Sequence, residues 1–204
     1  MTAEPINPTR RELFSPLSQR YSPYRYEPRS IAESDLASCF EAACWAASSF
    51  NEQPWRFVVA SREQTEEFER MLGCLLEANR GWAQNAGALI LTTYRSKFSR
   101  NDKPNRVALH DLGQASAHFA LQAASLGLQV HQMAGINVSQ IRAEYQIPEA
   151  FEPATAIAVG YPDQSPPDHE TAAEWARREA SARSRKSLSD VVFSRQWENA
   201  GPWS

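Results

Sequence analysis

A chain of 204 residues, 42% hydrophobic and 10% aromatic, has room for one domain with a real core. Its net charge of -3 supplies no global basic field to recruit nucleic acid or an anionic membrane. Cys39, Cys44 and Cys74 show no CxxC or zinc spacing, and the N-terminal MTAEPINPTRREL has no apolar core. Both features lead us to expect a soluble cytoplasmic protein with reduced thiols and no membrane span.

In chain order, the pattern predicts a short helix over Arg10 to Ser18, then the proline-punctuated loop YSPYRYEPRS. Ser34 is placed to cap the next helix, with Asp35 near its positive end. Leu36, Cys39, Phe40, Ala43, Cys44 and Ala47 recur at three- and four-residue steps, so one face of that helix is buried. WRFVVAS reads as a strand, Glu63 to Leu76 as a charged amphipathic helix, and GALILTTY as a central strand. The longest helical segment is RVALHDLGQASAHFALQAASLGLQV. Its small residues Gly113, Ala115, Ser116 and Ala117 suit a central helix or a subunit interface. Val138 to Tyr145 is a short helix, and ATAIAVGYP is another buried strand. Beyond Pro162 polar and charged residues dominate, with a helix over Thr171 to Ala182 and VVF as a short strand ending an arm. Helices and strands without regular βαβ alternation predict an α+β fold.

The densest polar cluster is ASSFNEQPWRFVVAS, between a helix end and a strand start. Ser and Asn often end helices, so a plain turn is one reading. The density of amides suits a neutral, many-sided polar ligand instead, because Asn and Gln each donate and accept. Nucleophile-elbow, phosphate-loop and dinucleotide-fingerprint motifs are absent from the sequence. His110–Asp111 alone is a weak metal signal within a helical pattern, so we expect no metal site.

RYSPYRYEP, AASSFNEQPWRFVVA, NRGWAQNAGALIL, HQMAGIN and RSRKSLSDVVF occur in this order. Together they give a chain that resembles the nitroreductase family of FMN-dependent oxidoreductases, over about Arg10 to Phe193. The resemblance implies a single domain over 1–204. It implies a mixed, largely antiparallel sheet wrapped by helices, and a homodimer with FMN at the subunit interface. Residues from about 163 to 204 would form a C-terminal arm exchanged between subunits.

The family pattern nominates site residues one by one. Arg20, Tyr21 and Ser22 match the N-terminal phosphate and flavin contacts. Arg183 and Arg185 match the basic pair near the C-terminus, with Lys186 a further candidate; a solvated basic tail is the bland reading of the same run. Asn79 falls beside the pyrimidine edge, where one amide can accept from N3–H and donate to O4. Met133, Ala134 and Gly135 match the stretch whose backbone N–H, here that of Ala134, points at flavin N5; no catalytic side chain is expected. Ser48, Ser49 and Asn51, with Gln53 as a buttress, are implied to reach the FMN bound mainly by the other subunit. Two positions depart from the family. Tyr24 and Trp82 stand where relatives often carry cations. Either Arg25 covers the pyrimidine edge, or the reduction potential is lower than is usual for the family.

The activity implied is hydride transfer from NADH or NADPH through FMN to a nitroaromatic, a quinone or a similar electrophile. A specialised member of the fold and a non-catalytic FMN-binding protein are the alternatives.

Overall fold

The computed structural model describes residues 7–181 and 183–203. The core is a four-stranded sheet of β1 (Trp55–Ser61), β2 (Ala88–Arg95), β3 (Gln129–Met133) and β4 (Phe151–Gly160), in the order β1-β2-β4-β3. All three pairings are antiparallel, so the largely antiparallel α+β expectation holds, and GALILTTY is central as predicted. Both sheet faces are covered. Ala88, Ile90, Ile157, Val159 and Val130 point to one side, with α2 (Glu33–Cys44) and α5 (Ala108–Ser125). Leu89, Leu91, Ala156, Ala158 and Met133 point to the other, with α3 (Thr65–Gly73), α4 (Glu77–Ala83) and α6 (Val138–Glu144). Burial on both sides makes β2 a continuous apolar run rather than an alternating one. Each large side chain so buried contributes about 1.5–3 kcal/mol.

The sequence-based boundaries shift for identifiable reasons. Helix α1 is Ser15–Gln19, not Arg10 to Ser18, because Pro16 belongs in a first helical turn. Helix α2 begins at Glu33 with Ala32 as its N-cap. Ser34 is therefore not the cap, and Glu33 and Asp35 in the first turn favour the start. The expected helix from Glu63 to Leu76 is α3, and a separate α4 follows. Helix α5 stops at Ser125, the chain turns through Gly127 at φ +78, and Gln129 and Val130 at the end of the longest predicted helical segment open β3. Strand β4 carries Pro153 at a register shift opposite Thr92/Thr93, where a missing N–H is tolerated. Helix α7 runs Glu170–Ala180; residue 182, the expected end, lies outside the described residues. VVF is not a strand: Leu188–Asp190 form a 3-10 turn, and Phe193 makes an isolated bridge with Ala200. Cys39, Cys44 and Cys74 are free thiols. Among the described residues no helix is long and apolar enough to cross a membrane.

Gly87 shows how tightly the N-terminal loop is laid on the sheet. A Cβ there would stand 2.7 Å from Ile31 Cγ1 and 2.9 Å from the Arg29 carbonyl oxygen. Gly87→Ala is expected to destabilise the fold by about 1–3 kcal/mol, the usual cost of overpacking. Calorimetry should show a melting temperature several degrees lower; an unchanged one would mean that the loop yields freely.

Candidate functional site

Three arginines distant in sequence gather at one place. Arg20 follows α1, while Arg183 and Arg185 follow α7. Burial, and then the like charges of Arg185 and Arg183, push the Arg20 pKa below its ordinary value. Arg20 Nη2 donates to Ser22 Oγ at 3.3 Å, and the Arg183 guanidinium lies 4.9 Å from the Tyr21 ring centre. Among the described residues none of the three arginines pairs with a carboxylate, and Lys186 is exposed. Assembled like charges without a counter-charge are costly unless an anion joins them.

What assembles them is a carboxylate aimed at backbone. Glu179 Oε1 on α7 accepts from the N–H groups of Tyr24 (2.5 Å) and Arg25 (2.8 Å). Arg25 is only 9% exposed. Its Nη2 lies 2.9 Å from Asp163 Oδ2 and also donates to the Ser165 carbonyl. The Arg25 guanidinium is thereby spent inside the chain.

Next to this loop is an aromatic stack. Trp82 on α4 lies parallel to His131 on β3, at 4.3 Å between ring centres and 25° between planes, and Tyr24 packs edge-on against both. His131 Nδ1 is 2.8 Å from the Pro23 carbonyl oxygen, which fixes the donor there as Nδ1–H. Burial is the main cause holding the His131 pKa below 6.5; the Pro23 hydrogen bond opposes it, and the Arg20 charge lowers it further.

The end of β3 meets the start of α4. Asn79 Nδ2 donates to the Gly135 carbonyl at 3.1 Å, as does the Leu76 N–H at 2.9 Å. A Cβ on residue 135 would fall 2.5 Å from Asn79 Nδ2, so a larger residue would push the amide off the Gly135 carbonyl. Ala134 is exposed, while the Met133 side chain is buried in the core.

The polar cluster forms a separate lip. Ser48 Oγ accepts from the Gln53 N–H (3.0 Å), and Gln53 Nε2 donates to the Asn51 backbone and side-chain oxygens. Buried Asp111 on α5 accepts the Ser49 N–H at 3.1 Å and so ties the lip to that helix. Phe50, Asn51 and Gln53 all take positive φ. Among the described residues no hydrogen bond or ion pair joins this lip to the arginine cluster.

The nitroreductase family profile matches residues 17–161. The chain belongs to the nitroreductase family. An uncharacterized 15.4 kDa protein of Mycolicibacterium smegmatis is 31% identical over 151 residues, 71% of this chain and 98% of that one. The major NAD(P)H-flavin oxidoreductase of Aliivibrio fischeri is 27% identical over 88 residues, 42% of this chain and 40% of its own. A solved structure described as an oxidoreductase containing FMN superposes with a TM-score of 0.86. It is 28% identical and covers 98% of this chain and 100% of that one. A nitroreductase family protein of Clostridium difficile 630, 23% identical over 91% of this chain and 99% of that one, shares the fold at TM-score 0.68.

Within this family frame, the structure adds residues that the motifs did not name. Glu179 and Asp111 hold the loop and the lip, and their partners lie 154–155 and 62 residues away. The Trp82–His131 stack puts a buried indole against the histidine of β3. His131 also gives the fold a pH response. Its folded pKa lies below the unfolded value, so the unfolded chain binds more protons as pH falls. Its contribution is complete above 6.5 and is lost as pH drops through the lower folded value. Wild-type unfolding free energy should therefore decline between neutrality and the folded pKa, and His131→Phe should flatten that part of the profile. Equal slopes for the two proteins in denaturant titrations would refute it.

Proposed function

We propose that the chain is an NAD(P)H-dependent FMN oxidoreductase that works as a homodimer. The carrying observation is the unpaired cluster of Arg20, Arg183 and Arg185, which suits a single terminal phosphate. The fit extends to the ring. Gly135 lets the Asn79 amide sit where a Cβ would crowd it, and Asn79 keeps its Oδ1 out of any hydrogen bond among the described residues.

In this reading Arg20, Ser22, Arg183 and Arg185 hold the phosphate, with Tyr21 beneath Arg183 and Lys186 at the rim. Asn79 serves the pyrimidine edge and the Ala134 N–H the N5 position. Tyr24 lines the ring edge together with Trp82. Bound FMN supplies the two-electron chemistry, accepting hydride from NADH or NADPH and passing it to an electrophile such as a nitroaromatic or quinone. The protein contributes position, exclusion of water and fixed donors, and no side chain is assigned as acid or base. Arg25 is engaged by Asp163 and Ser165, which favours the second of the two options left by the sequence, an unusually low reduction potential.

The separation of the lip from the arginine cluster supports a site completed by a partner, with Ser48, Ser49 and Asn51 reaching the partner's FMN. Trp45, 80% exposed, and Phe14, 66% exposed, line one hollow with Leu121 between α2 and α5, an apolar face that suits a second copy. Exchange of the arm from 163 to 204 belongs to the same proposal.

Arg183→Ala with Arg185→Ala should weaken FMN binding about ten- to a hundredfold per lost contact, since charge-assisted hydrogen bonds are worth about 1.5–3 kcal/mol. Flavin fluorescence titration measures this, and unchanged affinity would return both arginines to a solvated tail. Sharing between subunits is read separately. Arg20→Ala and Asn51→Ala chains co-expressed at equal levels should form heterodimers in about half the population. Each heterodimer would keep one intact site, so about a quarter of all sites should recover. No gain in tag-selected heterodimers would place both residues in one subunit's site.

A further inference from the structure

The lip carries a side chain that the flavin reading leaves without a task. Phe50 takes φ +54 and ψ 24, the left-handed region in which a bulky residue is strained. Strain of this kind is held only where surrounding contacts enforce it. Yet the Phe50 ring is 72% exposed, so core packing is not what it secures.

The ring instead heads a small assembly. Phe98 meets it edge-on at 5.8 Å and 83° between planes. The Arg100 guanidinium carbon lies 3.9 Å from the Phe50 ring centre and 5.4 Å from that of Phe98. Glu52 Oε1 accepts the Ser99 N–H at 2.7 Å, which fastens this hairpin to the lip. The hairpin is closed by the Lys97–Pro104 bridge and by the Phe98 N–H to the Lys103 carbonyl at 2.9 Å. The charge of its own residues opposes that of the whole chain: Lys97, Arg100, Lys103 and Arg106 stand against Asp102, which Lys97 engages at 3.2 Å, while the Glu52 carboxylate of the lip is turned to the Ser99 N–H. Among the described residues Arg100 has no carboxylate partner. The assembly thus presents an aromatic surface and uncommitted N–H donors one residue from Asn51.

We propose that Phe50, Phe98 and Arg100 form a clamp that selects planar aromatic acceptors bearing an anionic group. The acceptor ring stacks on Phe50, and its anion accepts from the Arg100 guanidinium. This rests on the oxidoreductase reading, which puts the lip beside a flavin. With 4-nitrobenzoate as the probe, one hydride from NAD(P)H and one proton enter, one nitro oxygen leaves as water, and the charge balances as ArNO2 + NAD(P)H + H+ giving ArNO + NAD(P)+ + H2O.

The experiment compares 4-nitrobenzoate with neutral nitrobenzene on the FMN-loaded protein, by steady-state kinetics and by equilibrium dialysis without nucleotide. Arg100→Gln should raise the KM and the dissociation constant of 4-nitrobenzoate about three- to tenfold, and those of nitrobenzene less than twofold, as for a partly exposed charge contact. Arg100→Lys should restore part of the loss. Added salt should weaken wild-type binding of 4-nitrobenzoate, and Arg100→Gln should remove that dependence. Phe50→Gly relieves the strained φ, so its melting temperature should not fall, while both aromatics bind more weakly. Equal effects of Arg100→Gln on the two probes, or no effect of Phe50→Gly on either, would overturn the clamp. If the protein neither retains FMN nor turns over any acceptor, the oxidoreductase reading has failed. Dialysis still judges the clamp on the purified chain, where 4-nitrobenzoate binding untouched by Arg100→Gln would overturn it as well.

Discussion

The arrangement depends on the Glu179 carboxylate and the two backbone N–H groups that it holds, those of Tyr24 and Arg25. These hydrogen bonds join the last long helix to a loop more than 150 residues earlier, and the Arg25–Asp163 pair fastens the same loop to the end of β4. Closing so long a segment costs chain entropy, although the cost grows only slowly with length. In return the fold fixes where α7 ends, and therefore where Arg183 and Arg185 start. Without that placement Arg20 would be an ordinary surface arginine.

The same contact makes like-charge crowding tolerable. Arg20 is half-buried with Arg183 and Arg185 near it, and a free chain would relax by swinging its basic tail into water. Helix α7 prevents this, because Trp175 packs near Gly81 and the Arg183 guanidinium sits over Tyr21. The repulsion is thus held in place by neutral packing and by a carboxylate turned toward backbone N–H groups. Had Glu179 paired with an arginine instead, the cluster would be neutralised and its attraction for a phosphate reduced.

Much of the fold was legible because its signals are local. The apolar run of β2, the small-residue helix α5 and the polar lip can each be read within a window of a few residues. Strand β3 was not, since five residues containing His131 and two glutamines show no clear period, and they follow directly on a helical pattern. The start of α1 was misplaced because the turn-forming power of Pro16 outweighs the helix-compatible residues ahead of it. Site residues came from ordered motifs, and these capture what touches a ligand better than what holds those residues. Glu179, Asp111 and the Trp82–His131 stack are visible only once distant segments meet. Arg25 shows the converse: its type and position suited a flavin contact, and only Asp163 and Ser165 revealed that its charge is already used.

Charge and apolar surface are consequently segregated along the site. At one end three guanidinium groups gather without a carboxylate partner among the described residues. At the other, Tyr24 and Trp82 pack with a His131 whose pKa is lowered by burial, and the nearby cations Arg25 and Arg178 are paired with Asp163 and Glu174. In the proposed reading a phosphate-bearing flavin would be held by its tail, with its ring toward this aromatic edge. In the same reading affinity and reduction potential become separable: the first would rest on the arginines that α7 delivers, the second on an aromatic edge whose nearby cations, Arg25 and Arg178, are already paired.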